Sequence, residues 1–229
     1  MPRKLRRRNA SKPRRPPYHH RNLRNALILA ALNALPEAGA DGLSLRDIAR
    51  RAGVSPAAPY HHFSDKQALL RAIAGQCARL LLDALQAATA EAGDDQRRRF
   101  QLTGIAFVRF AVGHPAHFRA MELPGMLANM PDEIRRRFEA FYAEEGRRMR
   151  EAQRRGLIAP VPFDRLILAA TSLVHGLAHM IINGATEARP DDVEHAVGLA
   201  RDVTAIFGTG VLPRESASPR KSRKSSTRT

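Results

Sequence analysis

The chain has one cysteine, no tryptophan, and only nine Phe and three Tyr in 229 residues. A lone cysteine, Cys77, excludes an internal disulfide and fits a reducing, cytoplasmic compartment. Cys77 falls on an apolar helical face and reads as a small buried hydrophobe, not a redox group. No stretch approaches the roughly twenty apolar residues of a membrane span, so no membrane partner is expected. The basic start, the apolar run Ala26 to Leu35 and the triplet Ala38-Gly39-Ala40 imitate a secretory signal. Against that, the basic region is too long and Asn33 interrupts the run. GxSxG, HExxH, P-loop and dinucleotide fingerprints are all missing, so catalysis is not expected and no cofactor is called for.

Acid is missing too, in one place. The first 24 residues hold ten Lys/Arg and no Asp or Glu, and residues 213–229 hold six Lys/Arg against Glu215. Nearly all of the net charge of +16 therefore belongs to the ends. Residues 1–20 and 211–229, rich in Ser, Pro and Arg and poor in apolar side chains, are expected to be a disordered basic arm and tail. An arm of this kind reaches phosphates or a minor groove beside a main site, or else adds only salt-sensitive affinity.

What is present is concentrated in Leu45 to Phe63, LRDIARRAGVSPAAPYHHF. Leu45, Ile48, Ala49 and Ala52 recur at the spacing of one helix face. Gly53 supplies a left-handed residue to end that helix, with Val54 as an apolar plug in the turn. Ser55 and Pro56 read as N-cap and first position of a second, very short helix. Pro59 removes an early backbone hydrogen bond whose acceptor would be the Ser55 carbonyl, which predicts a tight first turn. Two helices joined by a short Gly-containing turn form a helix-turn-helix over 44–63, whose second helix enters the major groove of double-stranded DNA.

The stretch from Asn22 through Ala26 to Ala31, Gly39, Gly42-Leu43-Ser44-Leu45, Ile48-Ala49, Ala52-Gly53-Val54-Ser55, Tyr60, Phe63 and Lys66 resembles the DNA-binding domain of the TetR family of transcriptional regulators. In place of Pro59 that family more often has a large apolar residue. Residues 173–177, Leu-Val-His-Gly-Leu, and 114–121, from His114 to Met121, resemble a subgroup often called the WHG type, with its Trp replaced. The resemblance implies that Tyr60 and Lys66 contact phosphates, with Lys66 at a helix start where backbone N–H groups also favour an anion. Ser44 and Arg46 are expected to face the DNA backbone, and Ser55, Pro56, Ala57, Ala58 and His61 to sit on the reading face. There the Ala methyls can touch thymine methyls. The competing readings are a core aromatic for Tyr60 and a solvent-facing polar residue for His62.

The expected architecture is all-α, with no strand-like alternation and about nine helices: three in a head over 21–81 and six in a bundle over 82–210. The first helix, 21–35, should stop at Pro36, and Ser64 should cap the long helix after the motif. A strongly apolar helix, 164–186, and the last one, opened by Pro190-Asp191-Asp192, are apolar on much of their circumference. Leu166, Ala170, Leu173, Leu177, Ile181, Val193, Val197 and Val203 are therefore expected at a two-fold interface. A homodimer places two recognition helices on a palindrome.

An unidentified small organic effector is the expected second partner. Phe107, Phe110, His114, His117, Phe118, Met121, Phe141, His175, His179 and Met180 are the candidate lining, or simply core. His175 with His179, and His114 with His117, have spacings that permit a metal. With no Cys, Asp or Glu beside them at ligand spacing, no metal is expected. The sequence thus points to a ligand-responsive homodimeric repressor, nucleoid-associated and bound to a palindromic operator. The alternative is a nonspecific nucleic-acid-binding protein driven by its tails.

Overall fold

The computed structural model describes residues 20–157, 161–189 and 191–209. The arm expected over 1–20, His20 apart, and the tail expected over 211–229 lie outside the described residues. Eight α-helices and two 3-10 turns make up the regular structure of the described residues, without a strand. The helices are α1 His20–Gly42, α2 Leu45–Arg51, α3 Lys66–Ala92, α4 Gln96–Gly113, α5 Pro115–Met121, α6 Asp132–Arg154, α7 Phe163–Ile182 and α8 Val193–Thr209. Of the nine helices expected, the recognition element is the one that is not α-helical: Ala58–His61 is a 3-10 turn.

Helix α1 runs past its expected stop. Pro36 lies inside it, and the interruption comes at Gly39, where φ is +64° and ψ 173°. Proline's own φ is compatible with a helix, so it costs a hydrogen bond but does not force an end. The buried face of Leu27, Ile28, Ala31, Leu32 and Leu35 carries the chain across it. Gly39 adopts a conformation that only glycine enters without a Cβ penalty, and that is where the helix is broken.

The turn after α2 follows the expected pattern. Val54 N–H donates to the Ala49 carbonyl (3.0 Å) and Gly53 N–H to the Arg50 carbonyl (3.1 Å), with Gly53 at φ +70°. These are the two bonds of a Schellman end, and Val54 packs against the head core. At the start of α3 the cap is Asp65 and not Ser64. Asp65 Oδ1 accepts from Ala68 N–H at 2.7 Å, while the Ser64 hydroxyl donates to Asp65 Oδ2 at 3.1 Å. A charged acceptor at a helix N-terminus is the stronger cap, and the serine becomes its support.

Two hydrophobic cores share α3. Leu69, Leu70, Ile73, Ala74 and Cys77 belong to the head core with α1, α2 and Phe63. Further along, Leu81 and Leu85 belong to the bundle core with α4, α7 and α8. At roughly 1.5 Å per residue a helix of this length is a strut of about 40 Å between them. Helix α5 bridges the same junction: Ala120 faces the head core and Phe118 the bundle core.

Helix α7 ends at Ile182, four residues short of expectation, because Gly184 takes φ +71° and Ala185 N–H returns to the Met180 carbonyl. Helix α8 opens at Val193, with Asp192 Oδ1 accepting from His195 N–H. By length and composition alone, one helix among the described residues, α7, is long and apolar enough to cross a membrane. In this fold α7 packs along α4 and α8 as a wall of the bundle.

Cys77 has no exposed surface, and burial pushes its thiol up to about 12. Alkylation by iodoacetamide at pH 8 is therefore expected to be at least about a hundredfold slower in native buffer than in denaturant. Equal rates in the two conditions would remove Cys77 from the core.

Candidate functional site

The first surface of interest is built by the Pro59 turn. Ala58 N–H donates to the Ser55 carbonyl at 3.0 Å, and Tyr60 N–H to the Ala57 carbonyl at 3.2 Å. The Ser55 carbonyl, which Pro59 was expected to orphan, is thus satisfied by the i+3 bond of a 3-10 turn. Both His62 and Phe63 N–H groups close the turn on the Pro59 carbonyl at 2.9 Å. Helical structure begins at Ala58, so Ser55 and Pro56 precede it and do not cap it. Pro59 and Phe63 are buried, which leaves Ser55, Pro56, Ala57, Tyr60 and His61 outward and Ala58 half-buried. Tyr60 is 52% exposed, so it is not a core aromatic. His62 is half-buried.

Ser44 caps α2 through the Asp47 N–H (3.1 Å), and the exposed Arg46 follows it on the same edge. Sequence reasoning passed over Arg50 and Arg51, which pair with Asp47 at 2.5 and 3.0 Å. The bonds from Arg50 and then Arg51 hold the Asp47 carboxyl below its ordinary value. Lys66 is half-buried at the start of α3, and its Nζ donates to the Asp41 carbonyl at 2.9 Å. In the free protein that ammonium therefore ties α3 to the end of α1.

The second site is a cavity of about 350 Å³ between α4, α6, α7 and α8. Six Phe and Tyr rings line it: Phe100 and Phe107 from α4, Phe141 and Tyr142 from α6, Phe163 from α7, Phe207 from α8. Phe100 stacks on Phe207 at 6.0 Å between centroids. The walls come close where glycine permits: a Cβ on Gly104 would stand 3.2 Å from Thr204 Cγ2 and Val174 Cγ1. One charged pair sits in the wall. Arg99 gives Nη2 and Nε to Glu145 at 2.5 and 3.2 Å and Nη1 to the Thr89 and Gly93 carbonyls at 2.8 and 2.7 Å. The two side chains are only 11% and 22% exposed. Four of the five guanidinium N–H groups are thus engaged.

Of the expected effector residues, Phe107, Phe141 and His175 line this cavity. Phe110 and Phe118 are instead fully in the bundle core, and Met121 packs between the two cores. Met180 is half exposed and His114 lies on the outer turn before α5. His117 is half-buried with no partner for Nε2, and burial, then His114, lowers its pKa. His179 reaches Glu122 instead, Nε2 to Oε2 at 3.3 Å, and His175 Nδ1 lies 3.6 Å from Oε1 of the same carboxylate. An acid does stand beside these histidines after all, brought by the end of α5. Among the described residues no group of three or more His, Cys, Asp or Glu is arranged to hold a metal ion.

Three of the expected interface residues are buried within the chain itself, and the other five are half-buried. Leu177, Ile181 and Val197 are core of their own bundle, with Val193 and Val203 packed on it. Ala170 and Leu173 line the cavity, and Leu166 lines a neighbouring groove. The apolar side chains left outward are Leu168, Met180 and Ile206, each at least half exposed. A helix apolar all round has both an inward and an outward face, and the sequence does not say which is which.

Comparison with known proteins gives a consistent result. Residues 27–73 match the family described as bacterial regulatory proteins, tetR family, and residues 100–203 match the tetracyclin repressor-like C-terminal domain. The HTH-type transcriptional regulator BetI of Rhizobium meliloti (strain 1021) is 32% identical over 184 residues, covering 78% of this chain and 86% of that protein. A solved TetR family transcription regulator from Marinobacter aquaeolei VT8 is 28% identical with a TM-score of 0.61, over 79% of this chain and 94% of that one. A protein of unknown function from Rhodococcus sp. RHA1 is 36% identical with a TM-score of 0.57, over 83% and 97%.

Proposed function

The chain belongs to the TetR family of transcriptional regulators and is a DNA-binding regulator, and from that premise we propose that it is a homodimeric repressor released from a palindromic operator by a small organic effector. The observation that carries the effector half is the aromatic cavity, set in a bundle whose α3 and α5 run directly into the head core. A ligand that favours one spacing of the two heads shifts the population off DNA by its differential affinity for the two states.

On the DNA side, Tyr60, Ser44 and Arg46 meet phosphates, and Ala57, Ala58 and His61 approach base edges. The 3-10 turn offers so few outward side chains that methyl contacts and groove shape carry much of the readout. Lys66 joins the phosphate contacts by exchanging the Asp41 carbonyl for an oxygen of DNA. The dimer forms through the outward faces of α7 and α8, around Leu168, Met180 and Ile206. Small residues on those faces, Ser172, Gly176 and Ala205, let the paired helices approach closely.

Selection of bound duplexes from a random library at about physiological salt tests the reading. A two-fold symmetric consensus is expected. Equal retention of all duplexes would overturn it and leave a tail-driven, nonspecific binder.

A further inference from the structure

The cavity, taken on the repressor reading as the effector site, has a chemistry of its own, and the ligand class assigned to it rests on that reading. All its formal charge is already paired. Arg99 is pinned by two backbone carbonyls on one side and by both oxygens of Glu145 on the other, and the pair is largely shielded from water. A charged guest would lose its hydration and find no free counterion, unless it split that pair and left its own like-charged rival unpartnered. The aromatic rings offer a cation some compensation, but the lining carboxylate that would complete a cation site belongs to Arg99.

The other polar groups are neutral. Thr103 and Thr204 hydroxyls donate back to the Arg99 and Ala200 carbonyls of their own helices. The His175 ring lies against Phe107 at 4.3 Å, with Nδ1 on the Glu122 side. The tautomer that puts its proton on Nδ1, towards that carboxylate, leaves Nε2 as an acceptor with no partner among the described residues. Burial lowers the His175 pKa, against the opposing pull of the Glu122 carboxylate.

We propose that the cavity selects an uncharged, planar hydroxy-aromatic molecule, its rings between Phe107, Phe141 and Phe163 and its hydroxyl donating to His175. The reciprocal consequence is that Glu145, not a ligand group, sets the charge preference of the site.

Four probes on one ring system separate the alternatives: 1-naphthol, naphthalene, 1-naphthoate and 1-naphthylmethylammonium, titrated calorimetrically at pH 7 into the full chain, with operator release read in parallel. Naphthol is expected to bind at least about tenfold more tightly than either ion. His175→Phe should bring naphthol down to the affinity of naphthalene. In Glu145→Gln the freed Arg99 fork should favour naphthoate by at least about tenfold, a switch that a merely structural Glu145 would not produce. Tighter binding of either ion to the unaltered chain overturns the proposal while leaving the effector site standing, provided that Ala170→Phe, which fills the cavity, abolishes it. Should Ala170→Phe fail to fold, Phe141→Ala removes a wall without adding bulk and must weaken naphthol as well. Binding indifferent to both variants overturns the effector reading itself, and the absence of binding by all four probes overturns the proposed ligand class.

Discussion

Replacing Phe63 by alanine is expected to abolish operator binding and to destabilise the head by about 3–5 kcal/mol. The ring is only 3% exposed and closes the head core beneath the recognition turn. Its own N–H is one of two fastened to the Pro59 carbonyl, and the Arg24 guanidinium lies over its face at 5.3 Å. A cavity here cannot be filled by collapse, because the overlying turn is stiffened by the Pro59 ring on one side and packed on α2 on the other. The cost should therefore sit at the upper end of the range for Phe-to-Ala changes. Thermal unfolding followed by circular dichroism and a duplex-binding isotherm check this together. A variant that keeps both its melting temperature and its affinity would contradict the placement of Phe63.

Arg99→Met has the second largest expected effect. It strips the Glu145 carboxylate of its hydrogen-bonded partner, leaving only the more distant charge of Arg148, and deprives the Thr89 and Gly93 carbonyls of their donor. Removing one member of a fully buried pair costs about 3–5 kcal/mol, and the residual exposure of this one brings the expectation to about 2–4 kcal/mol. The companion change discriminates between mechanisms. Adding Glu145→Met should recover part of the loss, because it removes the stranded charge, so the two effects should fall well short of additive. Strict additivity in denaturant unfolding would mean that the pair is not coupled.

The elements most legible in the sequence are those whose signals are local. The end of α2 at Gly53, the plug at Val54 and the periodic faces of α3 follow from residues within a few positions of one another. Local signals also mislead where two of them compete: Pro36 is a strong helix breaker, yet Gly39 makes the break, because the apolar face around Leu35 outweighs one lost hydrogen bond. Ser64 and Asp65 are both good caps, and adjacency alone does not decide between them. The cavity is legible only in part. Phe107, Phe141 and His175 can be named from residue type, but the Arg99–Glu145 pair joins positions 46 apart on helices whose packing no periodicity encodes. Glu122 escapes for the same reason, lying 57 positions from His179. Which face of α7 turns inward is not legible because its apolar residues cover most of its circumference, and packing against α4 chooses the face.

The Arg99 arrangement also has a meaning for anyone who cuts or lengthens this chain. Gly93-Asp94-Asp95 between α3 and α4 looks like an ideal place for an inserted tag or a circular-permutation break: short, polar and at the surface, where connections tolerate change. Yet the Gly93 carbonyl is one jaw of the grip on Arg99, and the Thr89 carbonyl one turn earlier is the other. A longer connection would move the first jaw and loosen the guanidinium. Glu145 would then lose its counterpart without a single cavity residue having been altered, and a surface edit would be read out as altered ligand selectivity.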